Sequence, residues 1–262
     1  MLKRVTLLAL ALAAAATCAL AATDIIPCAV GNKWQYDCYK VIRGSVTYQG
    51  KSMGSMDDTS FGSSVYEVLS VDSKSAQPIY SYRETTDTSS AGSEPDHDQT
   101  DLQIRNDATG QYILSSYRTG SSMDAPDKQQ YETPLLYYVR GATPGKEWSV
   151  GVMRDENTLV PVTAKVIGRE AVTVPAGTFK DCLKVVYISD TMSGTVDIWN
   201  KQFNITSGKS RGIYWVAEGV GVVKELEIAT STAETPGPDG APISIESSSC
   251  SVSELKPGFV VK

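Results

Sequence analysis

Apolar and polar residues alternate in short runs along most of the chain. In the run KWQYDCYKVI, Trp34, Tyr36 and Cys38 alternate with polar residues, which is typical of a β-strand with one buried face. Similar runs recur to the C-terminus, and after the first 21 residues no apolar repeat of helical period extends over three turns. The pattern predicts an all-β fold, with antiparallel sheet(s) forming a curved half-barrel or barrel with long polar loops.

Two polar stretches interrupt the predicted strands. Residues 44–60 are rich in Gly, Ser and Met, and residues 84–100 contain no large apolar residue. A half-buried strand needs apolar residues on one face, whereas clusters of small polar residues mark loops. Both stretches are therefore predicted as loops.

The clearest strand–turn–strand unit is AVTVPAGTFKDCLKVV, near the middle of the chain. Pro175 fixes its own φ near the value that the second position of a turn requires, and Gly177 suits the last position. On the predicted second strand, Asp181 is the polar exception on an otherwise apolar inner face. Gly219 and Gly221 predict another turn between two later strands.

The first residues have the pattern of a secretory signal. Lys3 and Arg4 form a basic start, residues 5–16 are an apolar run, and the small-x-small sequence at 19–21 is typical of a signal-peptidase site. The apolar run is shorter than the roughly 20 residues that a membrane-spanning helix needs. Residues 1–21 are therefore predicted to be a cleaved signal peptide, with no transmembrane segment in the mature chain.

The rest of the chain, residues 22–262, is predicted to be a single β-rich domain. It is built of two halves, about 22–133 and 134–262, because the sequence GNKW near the start is echoed by GKEW. The Ala-rich signal indicates a bacterial protein that is periplasmic or secreted. The alternative is a lipid-anchored protein, modified at Cys18.

The chain contains five cysteines. Four of them, Cys28, Cys38, Cys182 and Cys250, remain after the predicted signal, and an even number in an exported protein favours two disulfides. Three connectivities are open, of which Cys28–Cys38 with Cys182–Cys250 is preferred. No C-x-x-C occurs and the single histidine is far from every cysteine in sequence, so neither a metal site nor a cofactor is predicted.

The net charge of the chain indicates which kinds of partner are unfavourable. The chain has 30 acidic and 24 basic residues, a net charge of −6, without a long basic cluster. Nucleic-acid binding depends on Lys and Arg neutralising phosphates, so it is not expected. An anionic membrane surface is an unfavourable partner for the same reason.

Two sequence patterns could carry chemistry. The stretch 50–54, GKSMG, matches the G-x-S-x-G nucleophile elbow, but no helical pattern follows it and His97 lies in another predicted loop. The acidic residues around His97 do not have the spacing of a calcium loop. No catalytic residue is assigned, and the protein is predicted not to be an enzyme.

Large aromatic residues are the candidate ligand-binding groups. Trp34, Tyr36, Trp148, Trp199 and Trp215 could line an apolar cavity for a hydrophobic ligand. The alternative is that these rings fill the core, since the chain has only 4 Phe.

Four motifs occur in an order that resembles a set of bacterial envelope proteins. They are GNKWQY (31–36), GKEW (145–148), VPAGTFKDCLKV (174–185) and IYWVAEGVGVVK (213–224). In these motifs the chain resembles TapB-like proteins, and the resemblance implies a secreted or lipid-anchored β-protein without an assigned reaction. It also implies kinship with the half-barrel of LolA-like lipoprotein carriers, which lays helices over its concave side. This sequence predicts no such helices.

Three hypotheses for function follow. The first is an exported envelope protein that binds a hydrophobic small molecule or another envelope protein without catalysis. The second is a structural or surface-interaction protein whose aromatic residues are all core. The third is a hydrolase with unidentified carboxylates, which two buried acids converging on one cleft would favour.

Overall fold

A computed structural model describes residues 26–92, 94–121, 123, 125–155 and 157–262. The predicted signal peptide and Cys18 lie outside these residues. In the described part of the chain the regular structure is β-strand throughout. Thirteen strands follow one another: β1 (Lys33–Tyr48), β2 (Lys51–Asp72), β3 (Ile79–Ser90), β4 (Asp96–Asn106), β5 (Gly110–Gly120), β6 (Asp127–Val139), β7 (Glu147–Asp155), β8 (Thr158–Val174), β9 (Gly177–Ser189), β10 (Ser193–Ile198), β11 (Lys201–Ala217), β12 (Gly221–Pro236) and β13 (Pro242–Leu255). Nowhere in this part is there a helix able to cross a membrane.

All thirteen described strands belong to one sheet. Its order is β10-β8-β9-β11-β12-β13-β1-β2-β3-β4-β5-β6, with β7 paired to β8 and β10 also paired to β11. Every pairing between these strands is antiparallel. The predicted all-β, antiparallel and curved architecture is confirmed.

The sheet curls until β6 approaches β7, and side chains rather than a backbone ladder join them. The Trp148 indole donates to the carbonyl oxygen of Leu136 at 3.0 Å. A second bond joins β6 to β9, where the Tyr187 hydroxyl donates to the carbonyl oxygen of Tyr137 at 2.7 Å. Because these bonds lie across the gap, the concave side of the sheet becomes an enclosed interior.

The predicted central turn is present. Val174 pairs with Gly177 across Pro175 and Ala176, and Gly177 has a φ of 128°, which only glycine adopts readily. The turn from β11 to β12 likewise has φ values of 71° at Gly219 and 103° at Gly221.

The inner face predicted for β9 was wrong at one residue, Asp181, because the strand contains a β-bulge. Between the pairs Glu170–Cys182 and Val172–Phe179, β9 has one more residue than β8. Asp181 takes a φ of 61°, and its exposed carboxylate forms an ion pair with Arg169. The extra residue interrupts the alternation, so Asp181 does not belong to the inner face.

The two predicted polar loops are largely strands, and that prediction was wrong. Residues 44–60 belong to the long hairpin of β1 and β2, and most of residues 84–100 belong to β3 and β4. Their backbone groups pair across the sheet. In this part of β3 and β4 the inner face borders the polar side of a cavity, with Thr86 and Thr100 on its wall, so these residues need not be apolar.

Two apolar clusters flank this cavity along the strands. On β1, Trp34 belongs to the main core, Lys40 lines the cavity, and Val46 packs against a second, smaller cluster. On β12, Val223 belongs to the main core and Ala233 to the smaller cluster. The cavity therefore lies between two packed regions of the same sheet.

The preferred disulfides are not formed, because the described cysteines at 28, 38, 182 and 250 are thiols. Cys28 is buried and accepts a hydrogen bond from Tyr82 of β3 at 2.9 Å. On β2, the partner of Tyr82 is Val68 and the partner of Cys38 is Gly62. Val68 and Gly62 are six residues apart along β2, which corresponds to about 20 Å. A disulfide requires Cα atoms within about 7 Å, so Cys28 and Cys38 are too far apart to pair.

The second predicted pair is also far apart. Cys182 lies next to Leu183, which pairs with Val216 of β11, close to the β11–β12 turn. Cys250 pairs with Ile228, which is seven residues further along β12 than Gly221 at that turn. The two thiols are therefore separated both along and across the strands.

Candidate functional site

The concave side of the sheet encloses a cavity of about 240 Å³ with two chemically different walls. One wall, mainly from β7 and β8, is apolar and contains Val150, Met153, Val160 and Val162, together with Leu102 of β4 and Ile113 of β5. β4 and β5 also contribute Asp98, Thr100, Ser116 and Arg118 to the lining. The opposite wall, mainly from β12, β13, β1, β2 and β3, is polar and contains Ser60, Ser64, Glu84, Thr86, Glu225, Glu227, Ser251 and Ser253. Most of its hydroxyl-bearing side chains are small, and this leaves the space open.

Two glutamates project from β12 into the cavity. Glu225 and Glu227 are two residues apart on one strand, so both point to the same face. The Tyr214 hydroxyl of β11 lies 3.1 Å from Oε1 of Glu225 and 2.9 Å from Oε1 of Glu227. The two carboxyl groups are also hydrogen-bonded to each other, which requires that one of them holds a proton.

A third glutamate reaches the same cavity from β3. The Tyr66 hydroxyl donates to Oε1 of Glu84, and the Thr86 hydroxyl lies 3.1 Å from the same oxygen. Thr86 is in turn 2.7 Å from the Ser64 hydroxyl, to which the Cys38 thiol donates at 3.3 Å. A continuous chain of hydrogen-bonding side chains thus runs across β3, β2 and β1.

The three carboxyl groups hold protons more tightly than carboxyls in water. Glu225 is 7% exposed, and Glu84 and Glu227 are half-buried. Burial raises the pKa of Glu84 to about 7 and the pKa of Glu227 to about 7. Burial, and then the negative charges of Glu227 and Glu84, raise the pKa of Glu225. The cluster therefore changes its charge near neutral pH.

Acidic groups outweigh the basic groups that face them. Arg118 is 3.5 Å from a carboxylate oxygen of Asp98, with which it forms an ion pair. The Lys40 ammonium favours the charged form of Glu227. Of the other described basic residues at the cavity edge, Arg154 is exposed, and Arg211 donates to Asp190 at 2.6 Å. The same Arg118 also favours the charged form of Glu84, so Asp98 and the three glutamates share two basic groups, Arg118 and Lys40.

Comparison with known proteins places the chain in a family. A family model described as DUF3108-like matches residues 30–227. The chain belongs to the DUF3108-like family. The matched region of this DUF3108-like protein contains all four motifs on which the resemblance to TapB-like envelope proteins depends. That resemblance, and the kinship with LolA-like carriers, remain predictions.

Other comparisons are more distant. No curated protein matches the chain significantly. A crystal structure of a "putative lipoprotein" from Parabacteroides distasonis is similar with a TM-score of 0.39 and 15% identity, over 91% of this chain and 99% of that one. A "putative exported protein with YmcC-like fold" from Bacteroides fragilis has a TM-score of 0.33 and 14% identity, over 84% of this chain and 94% of that one. The family match is what the comparisons establish.

Three of the aromatic residues proposed from the sequence are anchored in the main core. The Trp34 indole donates to the Val220 carbonyl oxygen at 2.7 Å, and the Tyr36 hydroxyl donates to that of Val222 at 2.8 Å. Trp148 is also buried and forms the bond that joins β7 to β6. Their polar atoms bind backbone carbonyls, as buried indoles and phenols usually do.

The other two lie elsewhere on the protein. Trp215 is buried beside the ion pair of Glu170 and Lys184, with the Lys184 ammonium 5.1 Å from its ring centroid. Trp199 is 45% exposed in the β10–β11 turn and borders a separate cleft with Met53. None of the five described aromatic residues proposed as ligand-binding groups lines the main cavity.

The remaining sequence patterns do not converge on it either. Ser52, of the G-x-S-x-G match, is exposed near the β1–β2 turn. His97 lies on β4, where its Nδ1 is 2.5 Å from a carboxylate oxygen of Asp87. Asp87 pairs with Ser63, eleven residues along β2 from Ser52. Across the described residues, no His, Cys, Asp and Glu group has the arrangement of a metal site.

No pattern in the sequence singled out the three glutamates. On β12, Glu225 and Glu227 alternate with Leu226 and Ile228, and by pattern alone the apolar pair would be assigned to the interior. In the structure Glu225 is buried, Leu226 is half-buried and Ile228 is 45% exposed. Glu84 could not be recognised as an inward-facing residue, because it is the first residue of the polar stretch that was predicted as a loop.

Proposed function

We propose that this protein is an exported, envelope-associated β-protein that binds a hydrophobic small molecule in the cavity on the concave side of its sheet, without catalysing a reaction. Export is supported by the basic and apolar N-terminal pattern of residues 1–21. The likeness to TapB-like envelope proteins and to LolA-like carriers agrees with this role. Anchoring through a lipid on Cys18 is the alternative mode of attachment.

The observation that carries the proposal is the cavity itself. It lies between two packed clusters, although protein interiors are normally filled to high density. Side chains such as Ile113 and Val160 form its apolar wall. Small-molecule sites are typically concave, with apolar walls and a few convergent polar groups. A purely structural protein would have no need of such a space.

The test is ligand binding by the wild type and by a protein whose cavity is filled. Ala229 is buried on the cavity wall, and its neighbour Thr230 is exposed on the opposite face of β12. We expect wild type and the control Thr230→Phe to bind the neutral probe Nile red and to release co-purified small molecules in mass spectrometry. Folded Ala229→Phe should do neither. Absence of binding by wild type, or equal binding by folded Ala229→Phe, would contradict the proposal.

A hydrolase is the second candidate, because Glu84, Glu225 and Glu227 converge on one cavity. A carboxyl group with a pKa near 7 is suited to general acid–base catalysis at neutral pH. Hydrolysis of a panel of chromogenic esters and glycosides is the measurement. Turnover that Glu225→Gln abolishes and the exposed control Glu246→Gln retains would support this candidate over simple binding.

A further inference from the structure

The two walls of the cavity limit the chemistry of its ligand, and the inference here depends on the ligand binding proposed above. The apolar side chains of β7 and β8 face the polar wall formed by β12, β13, β1, β2 and β3. A wholly apolar molecule would remove water from the carboxyl and hydroxyl groups without replacing their hydrogen bonds, which costs free energy. The complementary ligand is amphipathic, with its polar group at the glutamates.

The charge of the polar wall limits the ligand further. The titratable and charged groups around the glutamates come from six strands. They are Tyr36, Cys38, Lys40, Tyr66, Asp98, Arg118, Tyr187 and Tyr214. Of these, Arg118 is paired with Asp98 and also favours the charged form of Glu84, and Lys40 acts on Glu227. Glu84, Glu225 and Glu227 all line the same cavity, so this region carries more negative than positive charge when the three carboxyl groups are ionised.

We infer that the cavity takes an amphipathic molecule with an apolar body and a protonated nitrogen, and that the carboxylates of Glu84, Glu225 and Glu227 hold this nitrogen. A cation placed between β3 and β12 would offset the negative charge of the ionised glutamates. An ammonium group also donates up to three hydrogen bonds, which suits several carboxylate acceptors. An anionic head group would meet like charges instead.

Binding of such a cation is linked to release of protons. Without a bound cation the glutamates keep their protons up to nearly neutral pH, because burial raises the pKa of each carboxyl. A bound cation favours their ionised form. The affinity for a cation must therefore rise with pH through the range in which the empty site titrates. The affinity for an uncharged ligand of the same size depends less on pH.

The probes are three molecules with the same eight-carbon chain: octylammonium, octan-1-ol and octanoate. Titration calorimetry with the full mature protein at pH 5.5 and pH 8 measures affinity, and buffers of different ionisation enthalpy report the protons exchanged. We expect octylammonium to bind at least about tenfold more tightly than octan-1-ol at pH 8, to release protons, and to lose affinity at pH 5.5. Octanoate should be the weakest ligand at pH 8.

Variants assign the effect to the cluster. Glu84→Gln and Glu225→Gln, each checked for folding by circular dichroism, should lower the affinity for octylammonium about tenfold while octan-1-ol binding is kept. The control Glu246→Gln removes an exposed acid outside the cavity and should bind as wild type does. Equal binding of octylammonium and octan-1-ol, or preferred binding of octanoate, would overturn the inference but not the proposed function. Failure of all three probes would overturn both.

Discussion

Gly212 of β11 lies directly opposite Glu227 of β12, and it has no side chain where Tyr214 needs room. A Cβ atom at Gly212 would be 2.8 Å from Cε2 of Tyr214 and 3.7 Å from Oε1 of Glu227. The Tyr214 ring is also packed against Tyr187, with centroids 5.0 Å apart. The absence of a side chain at Gly212 is therefore what allows the Tyr214 hydroxyl to reach the glutamates.

Gly212→Ala should consequently destabilise the protein. The new methyl group must displace a ring that has little freedom to move, and such overpacking costs about 1–3 kcal/mol. The control is Gly168→Ala on β8, where an added Cβ would have no heavy atom within 4 Å. Urea denaturation monitored by tryptophan fluorescence is the measurement. Equal midpoints for the two variants would show that Tyr214 can move without cost.

The stability of the ligand-free protein should fall as the pH rises from 5.5 to 8. Glu84 and Glu227 have a pKa of about 7 in the folded protein against 4.5 for an unperturbed glutamate, so the folded state binds more protons than the unfolded state between these values. The free energy of unfolding then decreases with pH, by an amount on the order of 1–3 kcal/mol for each group.

Urea midpoints at the two pH values measure this effect. Glu84→Gln should reduce the pH dependence and should be more stable than wild type at pH 8, since it removes a charge that is costly to bury. Glu246→Gln is the matched exposed control and should retain the wild-type dependence. A midpoint that increases with pH in the wild type would contradict the placement of the glutamates.

Tyr214→Phe should cost more stability at pH 8 than at pH 5.5. The hydroxyl lies within hydrogen-bonding distance of both Glu225 and Glu227, and a bond to an ionised acceptor contributes about 1.5–3 kcal/mol, compared with about 0.5–1.5 kcal/mol for a neutral one. Tyr112→Phe removes a hydroxyl that contacts Thr109 at the surface. Its effect should be small and the same at both pH values; an equally constant effect of Tyr214→Phe would argue against ionised glutamates.

Trp148→Phe should loosen the contact between β6 and β7. The substitution removes the indole donor to Leu136 and part of a buried ring, for which we expect a loss of about 1–3 kcal/mol. Trp199→Phe, at a position that is 45% exposed, should change stability by less than about 0.5 kcal/mol. Thermal unfolding followed by circular dichroism compares the two variants. A larger loss of stability for Trp199→Phe than for Trp148→Phe would contradict the role of Trp148 in the contact between β6 and β7.

The features that were predictable are those specified by neighbouring residues. The turn at Pro175 and Gly177 was predictable because proline restricts its own φ and glycine accepts φ values that other residues avoid. The alternation around Trp34 and Tyr36 likewise identifies β1 as a half-buried strand. These signals depend on the backbone within a few residues, and the all-β fold class followed from repeating them along the chain.

Other features were not predicted because a pattern of alternating residues indicates a strand only where the buried face is apolar. Residues 84–100 were predicted as a loop, since their inner face contains Thr86 and Thr100 rather than Val or Ile. Asp181 looked like an inner-face residue because a bulge cannot be seen in a pattern of period two. The disulfides were inferred from the number of cysteines, although the strand register places Cys28 and Cys38 at different levels.

The sequence by itself determined that the chain forms short alternating strands and where two of its tightest turns lie, because φ, ψ preferences and side-chain alternation are local. Which face of a strand becomes the interior was decided only by the tertiary structure. On β12 the local pattern favours Leu226 and Ile228 as buried residues, yet pairing with β11 and the curvature of the sheet turn Glu225 and Glu227 inwards. Glu84, from a strand far away in sequence, joins them because closure of one sheet brings distant strands around a common space.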